Sequence, residues 1–393
     1  MKLSRRLVYC STLLLAFTSC KGQTNGAAVE ESPVEVIDTV SIFVVGDIMC
    51  HGAQARSAFE VYSSKHPGAS REDHYAYDWS CSFKGVEDDI RNADIAIGNM
   101  EFPFGGPPFK GYPVFSAPDS YIDYVRDIGF DVLLAANNHI LDMGKPGIDR
   151  TITVYDKMES ESAVQYTGIS ADAEADESHY PVYVRAHGLK IAIVNFTYGT
   201  NTAISSLWPK VNREKREDIA KAMERAKAAE ADYILVLPHW GIEYERNHNR
   251  AQADLADWLI SKGADAIVGA HPHRVQDMEL REVTDPVDST SKLVPIFYSL
   301  GNAVSNQNDP EGRLELMVTL RIVKSSLTGE SRMIEPLWKY VWCTKPGMIL
   351  QGYDVVPVKE YLDKPDAWVK QKDDYGVMKA TYEKVKKNTR IED

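Results

Sequence analysis

The sequence predicts an α/β fold, because apolar, β-branched segments alternate with amphipathic segments along most of the chain. The apolar segments are continuous rather than alternating, which is typical of strands covered on both faces. Seven of them are predicted strands, at residues 40–46, 94–98, 131–136, 190–196, 233–237, 265–268 and 294–300. Residues 212–231 and 250–262 carry apolar side chains on one helical face and charges elsewhere, which predicts two helices. A third helix is predicted from about residue 146 to 159, because Pro146 favours a helix start.

The first twenty residues have the pattern of a lipoprotein signal peptide. A basic start with Lys2, Arg5 and Arg6 precedes an apolar segment at 7–17 and small residues that end in Cys20. The apolar segment is too short for a membrane-spanning helix. We therefore expect Cys20 to carry a lipid, and residues 21–38, which are small, polar and acidic, to form a flexible tether.

The rest of the chain is expected to hold one main domain, at residues 39–310, and a C-terminal region, at 311–393. That region contains two predicted strands, at 314–323 and 333–342, and a helix at 374–387 that would complete or cap the domain. Residues 54–92 and 103–118 interrupt the alternation of strands and helices. We expect them to be loops or a small cap over the strand ends.

Charge and cysteine content narrow the function classes. The formal net charge is −13, and loss of the three basic residues before Cys20 would lower it to −16. No basic cluster of the sequence predicts nucleic-acid binding. Cys50, Cys81 and Cys343 follow the signal peptide, and an odd number cannot form a complete disulfide framework. Cys50 lies near Asp47, but no second cysteine has ligand spacing, so a buried structural role is favoured.

Five predicted strands end in side chains that can bind metals or transfer protons. Because the carboxyl ends of parallel strands meet at one edge of a sheet, these side chains are expected to share one pocket. Each motif alone has a structural explanation, such as a turn or a helix entry, but their coincidence at successive strand ends favours a functional site. The candidate metal ligands are Asp47, Glu101, Asn138, His239, His271 and His273.

This mixture of carboxylate, amide and imidazole donors is typical of a site for one or two divalent metal ions. Manganese, iron and zinc fit the donor set about equally. His139 and Asp142 form a different kind of pair, in which a carboxylate could orient a histidine that acts as a general acid.

Longer motifs resemble the CapA family of capsule-synthesis proteins over about residues 40 to 305. The motifs are Gly46-Asp47-Ile48-Met49, Asn99-Met100-Glu101, Asn137-Asn138-His139-Ile140-Leu141-Asp142, His239-Trp240-Gly241-Ile242-Glu243-Tyr244, Gly269-Ala270-His271-Pro272-His273 and Tyr298-Ser299-Leu300-Gly301-Asn302. The resemblance implies a calcineurin-like metallophosphoesterase fold, which is a two-sheet αββα sandwich with a dinuclear metal site at the strand ends. It also implies that the six candidate ligands match ligand positions, and that His139 matches the histidine that stabilises or protonates the leaving group.

Two departures from the metallophosphoesterase pattern affect the expected metal site. The common first motif is Asp-x-His, whereas here Met49 follows Asp47 at that spacing and His51 comes two residues later. The second motif, Gly-Asp-x-x-Asp, is replaced by Gly98-Asn99-Met100-Glu101, which is one residue shorter. These departures leave open a site with a single metal ion or a site without catalysis.

The resemblance implies a lipid-anchored envelope protein that acts in the synthesis, export or anchoring of poly-γ-glutamate or a similar capsule polymer. The activity would be that of a metal-dependent hydrolase or transferase. Two alternatives are a periplasmic metallophosphoesterase acting on a small phosphoester and a non-catalytic module that binds the polymer. A cleft with a basic rim, for which Lys110, Arg246 and Arg274 are candidates, would favour polymer binding.

The expected partners follow from this interpretation. They are an anionic polymer or phosphoester substrate, the membrane through the N-terminal lipid, and capsule-synthesis membrane proteins. The expected location is the outer membrane, facing the periplasm.

Overall fold

The structure is a computed structural model that describes residues 36–284, 289–347, 352–368 and 372–392. The predicted signal peptide with Cys20, and all but the last three residues of the predicted tether, lie outside the described residues. Among the described helices, none combines the length and the hydropathy needed to cross a membrane.

The described residues form fifteen strands and nine α-helices. The strands are β1 (Ile37–Ile48), β2 (Ile95–Met100), β3 (Val132–Leu134), β4 (Gln165–Thr167), β5 (Ile169–Ser170), β6 (Val182–Ala186), β7 (Leu189–Thr197), β8 (Lys210–Val211), β9 (Tyr233–His239), β10 (Ala266–Val268), β11 (Met278–Thr284), β12 (Ser291–Phe297), β13 (Leu314–Ser325), β14 (Ser331–Thr344) and β15 (Asp354–Pro357). The helices are α1 (Gly52–Lys65), α2 (Glu87–Asn92), α3 (Ser120–Ile128), α4 (Gly144–Glu161), α5 (Ala173–His179), α6 (Arg216–Ala228), α7 (Arg250–Ser261), α8 (Val358–Tyr361) and α9 (Lys372–Thr389).

Two large mixed sheets form the centre of the fold. The first has the order β15-β14-β13-β1-β2-β3-β4, in which β1 to β4 are parallel and β13 to β15 are antiparallel to their neighbours. The second has the order β11-β12-β10-β9-β7-β6, with four parallel central strands and antiparallel strands at both edges. Strands β5 and β8 form a separate pair.

Three apolar clusters show how the layers stack. The cluster between the sheets contains Ile42 and Val44 of β1 together with Ile193 and Leu235 of the second sheet. The outer face of the first sheet packs against α1 to α4, as shown by Phe43, Leu133, Ala58, Ile90, Tyr121 and Ile148. The outer face of the second sheet packs against α6 and α7, as shown by Val194, Val236, Met223 and Leu259. The predicted α/β class and the αββα arrangement are therefore confirmed.

All seven strands predicted for the main domain are present, as are α4, α6 and α7. Residues 54–92 were expected to be loops or a small cap, and the loop alternative is wrong for residues 54–65 and 87–92, which lie in α1 and α2. Several of the buried positions of α1 hold small or polar residues such as Gln54, Ser57 and Ala58. This helix therefore has little of the apolar periodicity on which a prediction from sequence depends.

The C-terminal region is integral to the first sheet. Strand β13 pairs with β1 from Ile37 opposite Ser325 to Val44 opposite Val318, and β14 pairs with β13. Helix α9 is joined to this region by a buried ion pair, in which Arg313 donates to both carboxylate oxygens of Asp374 over 2.7 and 2.9 Å. The Arg313 guanidinium also lies over the Trp342 ring, 4.3 Å from its centroid.

Replacing Asp374 with alanine should lower the free energy of unfolding by about 3 to 5 kcal/mol, because the substitution removes the carboxylate that pairs with a buried guanidinium. Denaturant titration of the soluble domain, followed by tryptophan fluorescence, measures the change. The matched control is Asp149→Ala, which removes an exposed helical pair with Lys145 and should change the free energy by less than about 1 kcal/mol. Equal effects of the two substitutions would contradict the assigned role of the buried pair.

Candidate metal centre

The six predicted ligands lie together where the carboxyl ends of the two sheets meet. Asp47 and Glu101 come from the ends of β1 and β2, and Asn138 from the loop after β3. His239 ends β9, and His271 and His273 follow β10. The donor atoms form two groups, Glu101 with His239 and His271, and Asp47 with Glu101 and His273, and within each group all lie within 4.8 Å of one another. Glu101 belongs to both groups, so its carboxylate is placed to be shared.

Asp47 is fully buried and is held by donors from both sheets. Asn99 Nδ2 donates to Asp47 Oδ1 over 2.6 Å, and the backbone N–H of His271 donates to Oδ2 over 3.1 Å. His273 Nδ1 lies 3.3 Å from the same Oδ2. Burial alone would raise the pKa of Asp47, but the hydrogen bond with His273 and the neighbouring His239 and Asn99 together hold that pKa below its usual range. The lowered pKa favours the ionised form of Asp47, which is the form that binds a cation.

Glu101 is the strongest indication that this site binds a cation. Both carboxylate oxygens are buried and lack a hydrogen-bond partner among the described residues. The Nε2 atoms of His239 and His273 each lie 3.7 Å from Glu101 Oε1. Burial and the nearby Asp47 raise the pKa of Glu101 well above its usual range. A buried carboxyl group without donors is costly, and a divalent ion between these oxygens and imidazoles fits the donor set.

The three histidines bring ring nitrogens to this centre. The Nδ1 of His273 lies 2.8 Å from Asn302 Oδ1, and a hydrogen bond there orients the ring so that Nε2 faces Glu101. The Nε2 of His239 lies 2.8 Å from Asn138 Oδ1, so these two candidate metal-binding atoms are adjacent. Burial lowers the pKa of His239 to about 3, and His271 Nδ1 has no partner among the described residues. Neutral imidazole is the form that binds metals.

Backbone strain in the loop after β10 also points to a functional role. The φ angles of His271 and His273 are 101° and 54°, both in the left-handed region that favours glycine. Such conformations cost about 1 to 3 kcal/mol each and persist where the surrounding structure enforces them. Here they accompany two imidazoles that both lie near the carboxylate of Glu101.

The predicted pair of His139 and Asp142 lies beside the metal-ligand groups. His139 Nδ1 is 2.7 Å from Asp142 Oδ2, and that oxygen also accepts the backbone N–H of Phe115 over 2.8 Å. The Phe115 ring meets the His139 ring edge-on at 4.6 Å between centroids. Residue 115 belongs to the segment 103–118, so this segment reaches the strand ends. His139 is in neither metal group, which suits a proton-transfer role better than a ligand role.

Two residues that the sequence left undecided are not placed as ligands. His51 Nδ1 lies 3.0 Å from Gln54 Oε1 at the start of α1 and accepts the backbone N–H of Asn306 over 3.3 Å. Cys50 is buried as a free thiol, and burial raises its pKa. Neither residue belongs to the metal-ligand groups found among the described residues.

The predicted basic rim is largely neutralised. Arg246 donates to Glu311 through Nε over 2.6 Å and Nη2 over 3.0 Å. Arg274 pairs with Asp309 and also donates to the carbonyl oxygen of His273 over 2.8 Å. Lys110 alone of the three is exposed without such a pair among the described residues.

Residues that support the ligands were not singled out from sequence. Asn99 contacts Asp47 and lies 3.3 Å from His239 Nδ1, and Asn302 orients His273. Asn137 donates to the carbonyl oxygen of Met100 over 2.8 Å, which ties the loop after β3 to the end of β2. Asn302 follows a strand end, as the predicted ligands do, and this position in the sequence could have indicated that it belongs to the site.

The sequence is similar to two capsule-biosynthesis proteins named CapA. It is 30% identical over 236 residues to the capsule biosynthesis protein CapA of Bacillus anthracis, covering 57% of this chain and 54% of that protein. It is 31% identical over 251 residues to the PGA biosynthesis protein CapA of Bacillus subtilis, covering 62% of this chain and 61% of that protein. The chain thus matches little more than half the length of these relatives.

Among solved structures, the calcineurin-like phosphoesterase YfkN of Bacillus subtilis aligns with a TM-score of 0.40 and 14% identity, over 91% of this chain and 100% of that one. A 5'-nucleotidase from Staphylococcus aureus, described as putative, aligns with a TM-score of 0.44 and 13% identity, over 88% and 58% of the two chains.

A family model described as bacterial capsule synthesis protein PGA_cap matches residues 41–307. This range includes both sheets' parallel strands and every residue of the candidate centre from Asp47 to Asn302. The chain therefore belongs to the bacterial capsule synthesis protein PGA_cap family.

Proposed function

We propose that this protein is a lipid-anchored, metal-dependent hydrolase or transferase that acts on poly-γ-glutamate or a similar anionic capsule polymer during its synthesis, export or anchoring. The sharing of buried Glu101 by two groups of ligands carries the proposal, because this arrangement suits a pair of divalent ions. Family membership and the two CapA relatives support the polymer as substrate. The supporting geometry is the adjacent pair of His139 and Asp142.

The residues of the chain have separate tasks in this proposal. Asp47, Glu101, Asn138 and the three histidines would hold the metal ions, and a bound ion supplies a Lewis acid that withdraws charge from the reacting carbonyl or phosphoryl group. Asp142 holds the Nδ1 side of the His139 ring, so Nε2 is the atom that gives a proton to the departing group. The contact with Phe115 fixes the ring plane and excludes water from one edge of it.

Metal stoichiometry tests the shared position of Glu101. We expect two ions per wild-type chain, one in His271→Ala and in His273→Ala, and none held tightly in Glu101→Gln, since only Glu101 belongs to both groups. Elemental analysis of the purified domain after equilibration with manganese, iron or zinc measures the content.

The control for this measurement is His66→Ala, which removes an exposed histidine at the end of α1 and should leave the metal content unchanged. Wild-type stoichiometry in Glu101→Gln would rule out a shared carboxylate, and absence of tight metal binding by the wild-type chain would contradict the proposed function.

Replacing His139 with alanine should lower the rate on the best substrate by a factor on the order of 100 or more, as expected for loss of a proton-transfer group, while metal content stays near the wild-type value. The assay follows shortening of poly-γ-glutamate, or its transfer to an acceptor amine, with a chromogenic phosphodiester in parallel. Turnover of the phosphoester alone would favour a small-molecule phosphoesterase. Equal rates in the wild type and His139→Ala would remove His139 from the mechanism.

Membrane attachment is tested at Cys20. The signal-like pattern before this residue predicts a lipid there, so Cys20→Ala in the full-length chain should move the protein from the membrane fraction to the soluble fraction. Cys81→Ala, which removes a free cysteine of the folded domain, is the matched control and should stay with the membrane. Retention of Cys20→Ala in membranes would mean that another segment or partner anchors the protein.

A further inference from the structure

A groove of about 710 Å³ has a lining that differs in charge from the rest of the chain. It runs along β8, the start of α6 and the segment 203–209. Five basic and three acidic residues line it, whereas the whole sequence has 44 basic and 57 acidic residues. The basic residues are Lys210, Arg213, Lys215, Lys221 and Arg225.

Part of the positive charge in this groove is not neutralised by the protein. Asp176 is paired with both Lys210, at 3.0 Å, and Arg225, at 3.6 Å. Within the described parts of the chain, Arg213, Lys215 and Lys221 have no carboxylate within ion-pair distance, and Lys215 and Lys221 are exposed. Three cations are therefore available to an external anion.

The groove and the metal centre share one segment of chain. Residues 198–209 leave the end of β7, where the backbone N–H of Tyr198 donates to the carbonyl oxygen of His239 over 2.9 Å. The backbone N–H of Asn201 donates to the carbonyl oxygen of Asn138 over 2.8 Å. Arg213 donates to Thr200 Oγ1 over 2.8 Å, and Leu141, two residues after His139, lines the groove. The groove and the metal centre are thus connected through the segment 198–209 and through the loop after β3 that contains Asn138 and Leu141.

The other lining residues fit a chain that is both charged and partly aliphatic. Leu207 is 81% exposed, and with Ile204 and Trp208 it forms an apolar wall of the groove. A γ-linked glutamate chain has methylene groups and an amide in its backbone and one carboxylate in each repeat. Its carboxylates match the ammonium and guanidinium groups, and its methylene groups match the apolar wall.

We propose that this groove is a binding subsite for a γ-linked polyglutamate chain, which the basic residues hold by its carboxylates while a neighbouring repeat enters the metal centre. The proposal rests on the proposed function for the identity of the polymer. It names the subsite that allows an acidic protein to bind a polyanion, and Arg213, Lys215 and Lys221 are its specificity-determining residues.

The test measures binding of long-chain poly-γ-glutamate to the purified, metal-loaded full-length protein by calorimetry or fluorescence anisotropy. The triple substitution Arg213→Gln, Lys215→Gln and Lys221→Gln should raise Kd by about tenfold or more, which corresponds to about 1.4 kcal/mol. A γ-glutamyl dipeptide is too short to reach from the metal centre to the groove. It should therefore bind the wild type and the triple variant with the same Kd. The difference in Kd between the wild type and the triple variant should become smaller as the salt concentration increases, because the contacts are solvent-exposed.

Two further variants control for misfolding and for unspecific effects of lost positive charge. Lys215→Gln with Lys221→Gln removes only exposed side chains and should still weaken binding, even if Arg213→Gln disturbs the contact with Thr200. The triple substitution Arg332→Gln, Lys379→Gln and Lys387→Gln removes the same residue types from exposed positions outside the groove. It should leave Kd unchanged.

The outcomes separate this inference from the proposed function. If the wild type turns over the polymer and the groove triple has the same KM, the subsite is overturned and the function stands. If no turnover is found but the groove triple alone loses polymer binding, the subsite stands and the enzymatic function fails. Equal losses in the groove triple and the control triple would overturn the subsite, as would tighter binding of single-stranded DNA of equal charge.

Discussion

The rest of the site depends on the hydrogen bonds to the carboxylate of Asp47, because they join the two sheets. Its oxygens receive hydrogen bonds from Asn99 in the first sheet and from the backbone of His271 after β10 in the second. The backbone N–H of Asp47 donates to the carbonyl oxygen of Gly301 over 3.0 Å. A Cβ atom at Gly46 would lie 2.1 Å from that same oxygen, so glycine is required for this approach. A shift of either sheet would therefore break the bonds that satisfy a buried charge, which is costly.

This constraint explains why the strained turn after β10 is kept. His271 and His273 could relax to ordinary backbone angles only by withdrawing the donors that Asp47 receives. Asn302 adds a second restraint by orienting the His273 ring. The strain is kept because relaxing it would leave a buried carboxylate with fewer donors, which is itself costly. The same contacts thus hold the ligands in place before any ion arrives, as a preorganised site requires.

The sequence predicted the strands and the convergence of the candidate ligands at one place, because both leave local signals. A continuous apolar segment indicates a buried strand, and a polar residue at its end indicates the site. The division of the strands between two sheets leaves no such signal, since β2 and β9 have the same apolar character, and it came only from the family resemblance. Arg246 pairs with Glu311, which is 65 positions away in the sequence. Such a distant ion pair leaves no local signal, so the sequence could not show that the predicted basic rim is largely neutralised. Helix α1 was missed because its buried face is small and polar.

The formal net charge of −13 does not prevent such a protein from acting on an anionic polymer. At physiological ionic strength, charges more than about 8 Å away are largely screened, so the local field decides binding. At the candidate metal centre, burial and the nearby Asp47 raise the pKa of Glu101, and a divalent ion bound there would offset the repulsion between the two carboxylates. Cation binding should therefore precede polymer binding. The unpaired cations of Arg213, Lys215 and Lys221 supply the second local positive field, at the other end of the segment 198–209 that contacts His239 and Asn138.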